Sequence, residues 1–182
     1  PFDQGSGDIV LRSCDQVDFY LYQWTLSSAS PFFQTMFSLP QNQNDPSSRS
    51  PEGCPIVDMA EDTPTIRMLL QFCYPRTLCP KPTLDSVADL KRCLTLGNKF
   101  DIDIIRVAAQ KSLMRLAQSQ PETAYFIAWS FQMRDAVLSS AQASVHHPFL
   151  LQETEEMSEV PALALARLYR FRTDCNDRLS SL

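Results

Sequence analysis

Residues able to do chemistry are sparse in this chain, and their spacing limits what they could do. The two histidines are the adjacent His146 and His147, just before Pro148. Neighbours on a helix point in different directions, so this pair does not chelate a metal. Positive charge there suits the carbonyl end of a helix instead. Cys14, Cys54, Cys73, Cys79, Cys93 and Cys175 are irregularly spaced and contain no C-x-x-C pair. The spacing supports neither zinc at Cys175 nor a disulfide framework, and the expectation is reduced thiols packed as small apolar groups. Glu153, Glu155, Glu156 and Glu159 read as a solvated acidic run, without the ordered ligand spacing that calcium requires. Four scattered glycines build no phosphate loop. The expectation is therefore no catalytic, cofactor-binding or metal-binding residue, no cofactor and no small-molecule substrate. A metal- or thiol-dependent enzyme centred on Cys175 is the remote alternative.

Composition narrows the classes further. The 182 residues suffice for one ordinary domain or a small domain with an extension, and 44% hydrophobic content suits a packed core rather than disorder. A net charge of −5 argues against generic nucleic-acid binding, which needs a basic face. Arg167, Arg170 and Arg172 do cluster, but Asp174 and Asp177 follow at once. No stretch approaches the roughly 20 apolar residues of a membrane span, and no charged start leads into an apolar run. The chain begins at Pro1. These features point to an intracellular setting, cytoplasmic or nuclear, with no nucleic-acid or membrane partner.

The elements that would position any functional residue follow from periodicity. Asp8–Arg12 and Phe19–Tyr22 are β-prone runs separated by turn chemistry at Ser13–Gln16, which predicts a hairpin with Phe19 and Leu21 on one face. Ser30-Pro31 predicts a capped helix whose apolar face carries Phe32, Phe33, Met36 and Phe37. Residues 41–54 form a polar flexible loop, and Pro55–Met59 returns as a strand. Thr63-Pro64 opens a helix lined by Ile66, Leu69, Leu70 and Cys73. After prolines at 75, 80 and 82, Thr83 is expected to cap a helix presenting Val87, Leu90, Leu94 and Gly97. Asp101 and Asp103 introduce another, with Ile105, Ala108, Ala109, Ser112, Leu113 and Leu116 inward.

Ser119-Gln120-Pro121-Glu122 has the pattern of a capping box. Helices are expected at about Thr123–Gln132 and Asp135–Val145, followed by an acidic connection from Gln152 to Ser158. The last helix should bury Val160, Leu163, Ala164, Leu168 and Phe171. Mixed strands and helices followed by helices alone indicate an α+β fold with an all-α extension.

The opening half resembles the BTB/POZ family. The likeness runs through Asp8-Ile9-Val10-Leu11, Phe19-Tyr20-Leu21 and Leu26-Ser27-Ser28-Ala29-Ser30-Pro31-Phe32-Phe33-Gln34-Thr35-Met36-Phe37. It continues through the strand at Pro55–Met59, Leu69-Leu70-Gln71-Phe72-Cys73-Tyr74 and the stretch from Leu94 to Phe100, covering about residues 8–117. Ala124-Tyr125-Phe126-Ile127-Ala128 and Leu168-Tyr169-Arg170-Phe171 resemble, more weakly, the helical tail of BTB proteins abundant in fungi, in the position of a BACK region. The resemblance implies a BTB/POZ domain over residues 1–117, a small three-stranded sheet flanked by helical hairpins, and a helical extension over residues 118–182.

The function so implied is a protein–protein interaction module acting as adaptor or scaffold, one version being a substrate adaptor for a cullin-type ubiquitin ligase. The alternative is a self-associating nuclear, transcription-related scaffold. Partners would be proteins, including a second copy of the chain as a homodimer or a cullin scaffold. Leu39, Tyr74 and Phe100 are the candidate partner-binding residues, as apolar anchors near loops.

Three departures from the family pattern stand out. Tyr22-Gln23 replaces the usual His and basic residue, so Gln23 supplies no charge opposite Asp8 as in the pocket of repressor-type relatives. Leu39-Pro40-Gln41 stands where cullin-binding relatives carry hydrophobic-x-Glu, and Gln41 accepts a hydrogen bond without a carboxylate's charge. Seven residues precede Asp8, whereas many family dimers exchange a strand lying further upstream.

Overall fold

The computed structural model describes residues 7–39, 49–51, 53–148 and 153–180. Within them the opening alternation becomes a hairpin. Strand β1 (Ile9–Arg12) pairs antiparallel with β2 (Asp18–Leu21), setting Ile9 opposite Leu21 and Leu11 opposite Phe19. Ser13 closes the turn: its N–H donates to the Val17 carbonyl at 3.0 Å. Its hydroxyl oxygen accepts from the Val17 N–H at 2.9 Å. Strand β3 (Ile56–Asp58) adds parallel to the other side of β1, giving the order β2-β1-β3.

The middle strand is covered on both faces, so Ile9, Val10 and Leu11 are all buried. On β2 only Phe19 and Leu21 are buried, the half-covered alternation expected of an edge strand. The predicted loop 41–54 lies outside the described residues from Gln41 to Ser48 and at Glu52. At its end Arg49 bridges to Pro55.

Two helices, α1 (Gln23–Ala29) and α2 (Pro31–Ser38), lie between β2 and β3, and α3 (Thr63–Cys73), α4 (Val87–Lys99) and α5 (Asp103–Ser119) follow β3. By internal contacts the chain divides into two compact units meeting between Arg106 and Val107, inside α5. Periodicity over residues 30–38 places α2, and the Ser30 side chain caps it, accepting from the Phe33 N–H at 3.2 Å. Its apolar face is narrower than the residue types suggest. Phe33 is buried, but Phe32 remains 41% exposed and Met36 and Phe37 are partly exposed.

Two expected caps move. Asp62, not Thr63, caps α3, its carboxylate accepting from the Thr65 N–H at 3.0 Å. Asp has the same short acceptor reach as Thr and stands one position earlier, leaving Pro64 in the first turn, where a missing N–H costs nothing. Ser86 rather than Thr83 caps α4. Its oxygen accepts from the Asp89 N–H at 3.0 Å, and its hydroxyl donates to the Asp89 carboxylate at 2.7 Å, a reciprocal pair that Thr83 has no acid to match. Leu90, Leu94 and Gly97 are buried on α4 as the spacing predicts.

The second unit is helical: the rest of α5, then α6 (Pro121–Ser130), α7 (Arg134–Val145), α8 (Glu155–Ser158) and α9 (Ala162–Ser180). Tyr125, Phe126, Ala141, Ala164 and Leu168 form its core, with Trp129, Val137, Met157 and Phe171 packed around them. The Tyr125 hydroxyl donates to the Ala164 carbonyl at 3.0 Å, which satisfies the one polar atom of a buried aromatic.

The capping box at Ser119–Glu122 does not form. Gln120 is the cap residue and makes no side-chain cap bond, while Glu122 faces Arg172 at 3.3 Å. Arg172 is 8% exposed and also donates to the carbonyls of Ser144 and, at 2.7 Å, His147, so a guanidinium fork ties α9 to the end of α7. That stronger partner takes the carboxylate away from the helix start. In the acidic connection Thr154 caps the short α8, which spacing had not suggested. Leu163, expected inside, is 54% exposed, whereas Ala164 and Leu168 are fully buried.

Candidate functional site

Helix α1 explains the most exposed aromatic of the first unit. It has seven residues, and only Leu26 is buried. Trp24 stands about half a turn away from Leu26, and 77% of its surface is open to solvent. The Ser28 hydroxyl donates to the Trp24 carbonyl at 2.7 Å, closing the turn beneath the indole. A large aromatic left in water on a well-formed helix is the kind of surface that marks an interaction site.

Trp24 forms one lip of an open groove of about 780 Å3 lined by Ser27, Ser28, Tyr74, Ile104 and Arg106 among others. The end of α3 and the turn into α5 supply its other walls. Ile104 is 43% exposed, and Arg106 bridges Asp101 at 2.8 Å and Asp103 at 2.5 Å. These charges are solvated, so they shape the rim more than they stabilise it. Cys73 lines the same groove, and burial pushes its thiol up to about 12, so it stays protonated at neutral pH.

The three anchor residues expected from the sequence fall in different environments. Leu39, the residue closing α2, is 58% exposed. Pro40 and Gln41, which complete the cullin-type stretch, lie outside the described residues. Tyr74 is half-buried in the groove wall. Its phenol oxygen accepts from the Tyr22 N–H at 3.3 Å, and burial pushes its pKa above the usual tyrosine value. Phe100 is not a surface anchor. It is 1% exposed and stacks on Phe33 with ring centroids 5.1 Å apart and planes 10° from parallel. Its carbonyl accepts from the buried Ser30 hydroxyl at 2.5 Å. A ring so stacked, on a backbone so held, belongs to the core.

Sequence reasoning missed Trp24, because seven residues with one buried side chain give no periodic signal. The available clue was the indole itself beside a strand end. The Asp8 carboxylate accepts from the Gln23 N–H at 2.6 Å. The main chain at the start of α1 thus meets this acid.

Among the described residues no three histidine, cysteine or acidic side chains gather as a metal site would need. The six cysteines are free thiols. Cys79 and Cys93 are packed as small apolar groups, whereas Cys14 is exposed. No described helix is long and apolar enough to cross a membrane.

A small mixed sheet clad by short helices, with its most distinctive chemistry on an open aromatic groove, is the architecture of a protein–protein interaction module. The family model that matches is the BTB/POZ domain, over residues 3–115. The chain belongs to the BTB/POZ family, whose domains mediate protein–protein interaction and self-association. No curated protein matches the chain.

Proposed function

We propose that the chain is an intracellular adaptor or scaffold, cytoplasmic or nuclear. In this reading the family fold ends with α5 at about residue 117 and docks a scaffold protein or a second copy of the chain. Residues 118–182 form a helical extension that recruits a client. The observation that carries the reading is Trp24, 77% exposed at the lip of a groove and free to be buried by a partner. Burying most of an indole removes on the order of 150 Å2 of surface from water, enough at about 25 cal/mol per Å2 to make it a dominant contact.

The adaptor version docks a cullin-type scaffold and is supported by the exposed Leu39 at the place where family members carry the hydrophobic residue of the cullin-binding stretch. A pull-down of the full chain with a cullin scaffold tests it. Binding at roughly micromolar concentration that is lost in Leu39→Asp supports this version. No binding with the fold intact removes it. The scaffold version is supported by Trp24 on α1. Sedimentation velocity should show dimers of the full chain that dissociate in Trp24→Ala, and a strict monomer at high concentration would refute it.

A further inference from the structure

We infer that the helical unit carries a second docking groove, built to receive an acidic, apolar segment of a partner polypeptide. The groove has a volume of about 530 Å3 and is lined by Trp129, Gln132, Arg134, Val137, Leu138 and Arg167. Trp129 comes from the last turn of α6, Arg134 and Val137 from the first turns of α7, and Arg167 from α9. Between α6 and α7 the chain reverses through Gln132 at φ 57°. These helices share one core, so the three walls are fixed with respect to each other.

Charge and shape together select the occupant. The guanidinium carbon of Arg167 lies over the Trp129 ring, 5.4 Å from its centroid. At that cation–π distance the guanidinium keeps N–H groups with which to address a carboxylate. Arg134 is exposed on the same groove. Among the described residues neither arginine has a carboxylate within ion-pair distance, although the chain carries 21 acidic residues against 16 basic ones. Arg172, five positions further along α9, is fully committed to Glu122 and two carbonyls. Among the described residues the lining thus holds two cations without a carboxylate partner, and no anion.

Its floor is apolar, because Leu138 is 59% exposed beside Val137 and the indole. A nucleic-acid backbone needs more cations than two and has no use for exposed leucine. A peptide segment with carboxylates flanking a leucine-like side chain satisfies both features, as helix-groove and acidic-motif recognition do elsewhere.

This inference rests on the recruiting role proposed for the helical extension, and its test is independent of the first unit. Fluorescence anisotropy of the full chain with a short labelled peptide alternating Glu and Leu should show saturable binding. The binding should weaken with added salt and by about tenfold in Arg134→Glu/Arg167→Glu. A peptide alternating Lys and Leu should show the opposite preference, binding the reversed variant. Both arginines are exposed, and unchanged helicity by circular dichroism confirms that the variant folds.

Absence of binding at up to roughly millimolar peptide would overturn the inference. So would binding indifferent to both salt and charge reversal. Dimers of the full chain that are lost in the arginine variant would assign the groove to a second copy. Co-sedimentation with anionic phosphatidylserine vesicles without peptide binding would assign it to a lipid surface. Failure of the adaptor reading, by contrast, would appear only in the cullin and Trp24 experiments.

Discussion

Replacing Phe100 by alanine separates a core residue from a docking anchor. The Phe100 ring is 1% exposed, stacks on Phe33 at 5.1 Å, and meets Phe32 edge-on at 5.4 Å. Removing a buried phenylalanine costs about 3–5 kcal/mol through lost transfer energy and the cavity that remains. The two aromatic contacts add about 0.5–1.5 kcal/mol each beyond area, while relaxation of the half-exposed Phe32 into the space recovers part of the loss. The net expectation is about 3–5 kcal/mol, a large share of the roughly 5–15 kcal/mol that holds a domain folded.

Amide hydrogen exchange of β1 reads this within the unit concerned. Exchange of Ile9–Arg12 should accelerate by a factor of roughly a hundred to several thousand. Phe100→Leu keeps most of the volume but loses the stacking, and should cost about 1–2 kcal/mol. Leu39→Ala, at a residue 58% exposed, should change stability by no more than about 0.5 kcal/mol. If Phe100→Ala left β1 exchange untouched while abolishing partner binding, the assignment of this ring to the core would be wrong.

Two further outcomes follow from the same unit. A Cβ at Gly97 would lie 3.3 Å from the Arg106 backbone nitrogen, 3.3 Å from Ile105 Cγ2 and 3.0 Å from Arg106 Cγ. The flexible Arg106 chain yields, but the backbone and the buried Ile105 do not. Gly97→Ala should therefore lower the urea midpoint by the equivalent of about 1–2 kcal/mol despite alanine's better helix propensity; a raised midpoint would show that α5 yields. Asp18 receives two hydrogen bonds from the Arg12 guanidinium, at 2.7 and 2.9 Å, and these hold its carboxyl below the ordinary aspartate value. A depressed carboxyl stabilises the fold above its unfolded value of about 3.9, and the contribution disappears as pH falls through the folded value. Urea midpoints measured from neutral pH down through this range should fall less steeply in Asp18→Asn than in the parent, and parallel curves would contradict the pairing.

The sheet was legible because its signals are local. Ile9 to Leu11 and Phe19 to Leu21 are short β-prone runs flanking a turn that Ser13 closes through its own side chain. What the alternation does not encode is that β3 arrives parallel on the far side of β1, since that pairing joins residues more than forty positions apart. The longer helices were legible from apolar spacing, whereas the short α1 and α8 were not, and the Ser30 cap of α2 formed while the expected starts of α3, α4 and α6 did not. Asp62 and Ser86 each had a competitor within a few residues, and which one caps depends on the amide that the folded chain brings close. Glu122 shows the limit most clearly, because Arg172, fifty residues later, outbids a cap three residues away.

Exposure is the quantity on which site prediction turned, and residue type does not carry it. Leu39, Tyr74 and Phe100 are all apolar side chains at the ends of helices, and they finish exposed, half-buried and buried. Phe100 packs inward on Phe33, and its carbonyl accepts from Ser30, a buried serine that also caps α2. One polar side chain therefore joins the start of a helix to the end of another seventy residues away, and the Phe32 and Phe33 rings pack against the Phe100 ring. Trp24 has the opposite situation. Its carbonyl is engaged only by Ser28 within the same helix, and Leu26 alone carries α1 into the core. A short helix pinned by one leucine leaves the Trp24 indole open to solvent at the lip of its groove, whereas the phenylalanine cluster is closed into the core.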